Sequence, residues 1–113
     1  MPFIDVKLSK KITDREKENL KAELGKSIKI MRKSESYLMV GICDNYDLYF
    51  AGNKLENGAF VSVSVFGSVD PNCAESMTAA ICDILKKQFA IDGSKVYVTY
   101  SGITNWGWDG SNF

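Results

Sequence analysis

A chain of 113 residues, 45% hydrophobic and 25% charged, is long enough to bury one core and too apolar to be disordered, so one domain spanning 1–113 is expected. Fourteen acidic side chains balance fourteen basic ones, which excludes a global field drawing the chain to nucleic acid or an anionic membrane. No apolar run approaches the roughly 20 residues of a membrane span and the amino end lacks a signal-peptide core, so cytosolic residence is expected, and export would need a route without a signal peptide.

Pro2-Phe3-Ile4-Asp5-Val6-Lys7-Leu8 alternates as a strand does. Pro2 itself has two readings. At the head of an edge strand its missing N–H costs nothing. As the residue exposed by removal of Met1, it would be a secondary amine in a chain without histidine, the side chain that most often moves protons near neutral pH. While Met1 is attached, that nitrogen is an amide without basicity.

Thr13-Asp14-Arg15-Glu16 has the spacing of a capping box and predicts a helix start. Leu20, Leu24, Ile28 and Met31 then form one apolar stripe, which Gly25 weakens only modestly. Beyond Lys33-Ser34-Glu35-Ser36, a strand is expected from Tyr37 to Ile42, with Leu38, Val40 and Ile42 on one face. Leu48 to Asn53 reads as a short strand ending in a turn.

From Phe60 the same order recurs. Val61, Val63 and Val65 alternate with serines, Asp70-Pro71 supplies an N-cap and a proline at the first helical position, and Met77, Ala80, Ile81, Ile84 and Leu85 make a full apolar face. Asp92-Gly93 turns the chain into a strand from Lys95 to Tyr100, followed by a loop at 101–104. The tail from Asn105 to Phe113 is expected to hold small accessory strands. Cys43, Cys73 and Cys82 are odd in number and lack C-x-x-C spacing, so reduced, buried thiols are expected, with neither a disulfide framework nor a metal site.

The fold class is therefore α/β (α+β): a tandem β-α-β repeat over about 2–43 and 59–101. Right-handed crossovers put both helices on one face of a four-stranded sheet. The other face then carries Phe3, Tyr37, Met39, Phe60, Phe66 and Tyr97 among small polar residues. An aromatic face of this size requires a cover: a ligand, a nucleic acid or another copy of the chain. An RNA-recognition module shares this element order and stacks bases on sheet aromatics. Asn57-Gly58-Ala59-Phe60-Val61-Ser62-Val63 echoes its signature strand poorly, with no opening cation and Ala59 where a stacking aromatic belongs.

Over essentially its whole length the chain resembles the macrophage migration inhibitory factor (MIF) family of the tautomerase superfamily. The likeness rests on Met1-Pro2-Phe3-Ile4, Lys33 before Tyr37-Leu38-Met39-Val40, Phe50-Ala51-Gly52-Asn53, Phe66-Gly67, Lys95-Val96-Tyr97-Val98 and the tail Asn105-Trp106-Gly107-Trp108-Asp109-Gly110-Ser111-Asn112-Phe113. It implies a homotrimer whose sheets wrap into a barrel, with an active site at each subunit interface and no cofactor. It also implies keto–enol tautomerisation of α-keto acids such as phenylpyruvate, with Pro2 as the base. An α-amino group ordinarily titrates at about 7.7–8.0, and burial beside a cation would keep it neutral.

The resemblance makes Lys33 the anchor for a substrate carboxylate. Phe66 takes a position where an aliphatic residue usually offers its backbone to the substrate, and Tyr37, Tyr97, Trp108 and Phe113 match aromatic or tail positions of the pocket. Thr99 stands where an asparagine usually reaches across the interface, Trp106 replaces a small aliphatic residue, and the 101–104 loop is shorter than in mammalian members. Gly58-Ala59-Phe60-Val61 replaces those members' C-x-x-C pair, so thiol–disulfide activity is expected to be absent. A second reading is a MIF-like signalling ligand that binds a cell-surface receptor, with vestigial catalysis.

Overall fold

The computed structural model describes residues Met1–Phe113. Alternation at the amino end produces β1 (Pro2–Leu8), with Pro2, Ile4, Val6 and Leu8 buried and the intervening side chains half-exposed. β5 (Ala59–Phe66) repeats the pattern, burying Ala59, Val61, Val63 and Val65. These two strands pair antiparallel at the sheet's centre, from Pro2 opposite Val65 to Leu8 opposite Ala59. β2 (Met39–Cys43) pairs parallel with β1, and β6 (Val96–Ile103) parallel with β5, giving the order β2-β1-β5-β6. Pro2 thus heads an interior strand rather than an edge strand. It is tolerated there because it is the first residue of the strand, where no ladder bond from its nitrogen is required.

Two helices close one face. α1 (Asp14–Ser27) opens on the capping box: the Glu16 N–H donates to Thr13 Oγ1 at 3.1 Å, and the Thr13 N–H donates to Glu16 Oε1 at 2.9 Å. Its buried Leu20 and Leu24 continue into Ile28 and Met31 on a 3-10 turn (Ile28–Met31). α2 (Pro71–Phe89) is capped by Asp70, whose carboxylate accepts from the N–H groups of Asn72 and Cys73 at 2.8 and 3.4 Å. Its face of Met77, Ile81, Ile84, Leu85 and Phe89 joins α1 and the inward residues of β1 and β5 in one core of eighteen apolar side chains. Each fully buried aliphatic side chain there is worth about 1.5–3 kcal/mol.

Three expectations need correction. Tyr37 lies on a 3-10 turn (Glu35–Tyr37), not on β2. Ser34 accepts from the Ser36 N–H at 3.1 Å, and this local bond competes with strand pairing. The stretch read as a loop at 101–104 is strand as far as Ile103, paired with Phe66. Gly102 permits this, because a Cβ there would run into the Gly67 carbonyl. The three cysteines are free, but Cys43 is exposed and Cys73 and Cys82 are only half-buried.

The accessory strands are two hairpins. β3 (Tyr49–Phe50) and β4 (Asn53–Lys54) flank Ala51-Gly52, with φ of 52° and 82°, the paired positive angles of a two-residue hairpin turn. In the tail, β7 (Gly107–Trp108) and β8 (Ser111–Asn112) flank Asp109-Gly110 in the same way. Asp44, just past β2, accepts the Ile12 N–H at 2.9 Å and pairs with Lys17 at 3.4 Å, which ties the end of β2 to the entry of α1.

The helix-free face carries three cross-sheet rows: Met39, Phe3, Ser64 and Ser101; Gly41, Asp5, Ser62 and Thr99; Cys43, Lys7, Phe60 and Tyr97. Met39 is 69% exposed and Tyr97 61% exposed. In the middle of this face the Lys7 ammonium pairs with Asp5 at 2.8 Å and lies over the Tyr46 ring.

Candidate active site

Pro2 is buried at the head of β1, and the carbonyl just before it is held in place. The Met1 oxygen accepts the Phe66 N–H at 2.9 Å, at the last residue of β5. Lys33 reaches the same point from the other side. After the 3-10 turn, Arg32 adopts a left-handed conformation (φ 59°), and Lys33 follows, its ammonium donating to the Phe66 carbonyl at 3.3 Å. Phe66 thus touches the amino end through its N–H and Lys33 through its C=O.

This arrangement acts on the terminal amine, which belongs to Met1 in the intact chain. Burial, and then the positive charge of Lys33, push its pKa below the ordinary value, since both disfavour the ammonium form. Arg32 is engaged elsewhere, with Asp70 at 3.8 Å.

Beside the amino end lies a mostly apolar cleft of about 720 Å³. Pro2, Tyr37 and Trp108 line it together with Met1, Trp106 and Ile103. Tyr37 and Trp108 meet edge to face at 6.2 Å. Phe113 stacks on the Trp108 ring at 6.4 Å and meets the Phe66 ring at a tilt at 5.3 Å, while its N–H donates to the Trp106 carbonyl at 3.0 Å.

Of the residues singled out in the sequence, the cleft wall gathers Pro2, Tyr37 and Trp108. Lys33 lines a separate cavity of about 440 Å³, and Phe66 and Phe113 are not part of the cleft lining. Tyr97 and Thr99 do not join the cleft. They lie on the open sheet face, where Tyr97 rests against Phe50 at 5.5 Å and Thr99 faces Ser62 across the strand pair. Sequence reasoning did not assign Ile103, Ser64 or Met39 to the cleft. Ser64 and Met39 flank Phe3 in the first row of the open face, so the strand register was the signal that places them. Ile103 was hidden by its reading as loop.

A further depression of about 570 Å³ lies between α1 and α2. Its charges are already partnered, Lys26 with Glu23 at 3.4 Å and Lys87 with Asp83 at 3.0 Å. No three His, Cys, Asp or Glu side chains stand close enough together to hold a metal ion.

A family profile described as macrophage migration inhibitory factor matches residues 1–113. The macrophage migration inhibitory factor of Xenopus laevis is 30% identical over 99 residues, covering 85% of each chain. Among solved structures, MIF2 of Leishmania major superposes with a TM-score of 0.92 at 28% identity, covering 100% of this chain and 97% of that one. The MIF-like protein of Entamoeba histolytica gives 0.89 at 25% identity, covering 99% and 98%.

Proposed function

The chain belongs to the macrophage migration inhibitory factor family, and from that premise we propose that it is a keto–enol tautomerase of α-keto acids such as phenylpyruvate, with the Pro2 amine as general base after Met1 is removed. One observation carries this reading: the amino end opens beside an apolar cleft in surroundings that lower the pKa of a terminal amine. A neutral secondary amine there accepts a proton from C3 of the keto acid, the carbon next to the ketone. The electron pair left on carbon becomes the enolate, and the amine returns its proton to complete the transfer.

Lys33 holds the substrate carboxylate in this scheme. The Phe66 N–H, now engaged by the Met1 carbonyl at 2.9 Å, is freed by processing and supplies a second donor beside it. In this scheme a substrate oxygen takes over the hydrogen bond that the Met1 oxygen makes. Tyr37 and Trp108 form the walls against which a flat side chain packs.

The chain is assigned a homotrimer in the same proposal. Three rows of partly exposed side chains, with Met39 and Tyr97 largely open to solvent, need a cover that identical sheets supply. Tyr97 and Thr99, which lie outside their own protomer's cleft, then reach a neighbour's.

The test is enol–keto interconversion of phenylpyruvate by protein whose loss of Met1 is established by mass spectrometry, with Pro2→Gly beside it. The expected result is a loss of about 10²–10⁴-fold in the variant. Processed wild type no faster than buffer would overturn the enzymatic reading and turn attention to a signalling ligand acting through its surface.

A further inference from the structure

Phe113 lies outside the cleft lining, yet it is fixed at two levels. Its backbone N–H is bonded to the Trp106 carbonyl at 3.0 Å, and its ring contacts both Trp108 and Phe66. The Phe66 contact is the closer, at 5.3 Å between centroids. Phe66 is the residue on which the site converges, because its carbonyl is the hydrogen-bond acceptor of Lys33.

That bond, at 3.3 Å, is long for a charged donor. The lysine stem loses considerable rotamer freedom when held in one place, so the position of Lys33 depends on an acceptor that does not move. The Phe66 carbonyl belongs to the peptide that leads into Gly67, a residue at φ 92° where the strand ends. Gly67 has no side chain to brace this peptide. The bracing comes from the Gly67 N–H on the Ile103 carbonyl at 2.9 Å and from the Phe66 ring against Phe113.

We infer that Phe113 is a positioning residue for Lys33, acting through Phe66: its ring holds the end of β5 so that the Phe66 carbonyl keeps the lysine ammonium beside the amino-terminal nitrogen. This rests on the reading of Pro2 as base and Lys33 as carboxylate anchor. Lys33 is the charge that faces the amine, and Tyr37 shares the lining of the cleft with the amino end. Of the neighbouring charges on the same connection, Arg32 is paired with Asp70 and the Glu35 carboxylate lies against Gly25 of α1. Lys33 is the charge that acts on the amine.

The experiment uses processed full-length protein with nitrogen-15 in its prolines. The Pro2 amine is titrated by NMR, and kcat and KM for phenylpyruvate are measured across pH. The variants are Phe113→Ala, Phe113→Tyr, Lys33→Ala and the double Phe113→Ala/Lys33→Ala. Phe113→Ala is expected to raise the Pro2 pKa in the same direction as Lys33→Ala and to raise KM about tenfold, the loss of one charged hydrogen bond. Phe113→Tyr restores both, and the double variant resembles Lys33→Ala alone. If Phe113→Ala weakens catalysis while the Pro2 titration stays in place, Phe113 acts by packing or substrate contact, and the inference is overturned with the Pro2–Lys33 reading intact. If Lys33→Ala itself moves neither the titration nor KM, that reading falls and the inference with it.

Discussion

The Lys33 ammonium donates to the carbonyl oxygen of Phe66 across 3.3 Å, joining the segment after α1 to the end of β5. The two residues are 33 positions apart in sequence and meet only because β5 lies against β1 at the sheet's centre. The Phe66 N–H, on the same residue, holds the Met1 carbonyl, so the cation and the amino end are set relative to one another by a single strand end.

Protein that retains Met1 is expected to be inactive toward phenylpyruvate while folding as stably as the processed form. The Pro2 nitrogen is then an amide, and Met1 itself lines the cleft. Blocking methionine removal during expression, verifying the mass and comparing turnover checks this. Full activity in a retained-Met1 sample would remove Pro2 from the role of base.

Sedimentation is expected to give three times the 12.6 kDa chain mass. Met39→Asp, at a site 69% exposed on the open face, is expected to shift the distribution toward single chains, since a charge buried between apolar surfaces costs several kcal/mol. A wild-type protein that sediments as one chain at all concentrations would contradict the barrel assembly.

Asp44 makes stability depend on acid. Its carboxyl is held below the usual range chiefly by the Ile12 N–H, with Lys17 adding to the effect. Because the folded pKa is lower than the unfolded one, this stabilisation is complete above the ordinary aspartate value of about 3.9 and is lost as pH falls through the folded value. Melting curves of Asp44→Asn and wild type should therefore differ at neutral pH and draw together in strong acid. A gap of constant size down to the lowest pH would show that ionisation of Asp44 is not responsible.

Gly25→Ala is expected to stabilise the fold by up to about 1 kcal/mol, the helix-propensity difference, raising the melting temperature by a few degrees. The added Cβ meets the carboxylate end of Glu35. Glu35 is exposed, so its flexible side chain can swing into solvent. A fall in melting temperature would mean that Glu35 is anchored over Gly25 and that the 3-10 turn carrying Tyr37 depends on it.

What the sequence determined was whatever a local signal encodes. Thr13 with Glu16, and Asp70 with Pro71, start the two helices because a side-chain oxygen at that spacing satisfies backbone donors with no help from the rest of the fold. Ile4, Val6, Val61 and Val63 are buried because period-2 alternation leaves only one face apolar. The tertiary structure decided the rest. Pro2 became interior when β5 paired with β1 on one side and β2 on the other. Tyr37 left its expected strand for a turn stabilised by Ser34, and Gly102 carried β6 on to Ile103 because only a residue without a Cβ clears the Gly67 carbonyl. The meeting of Lys33, Phe66, Phe113 and the amino end has no signature in local spacing. It arises from strand register and from packing between segments distant in the chain, and those are set by the whole core at once.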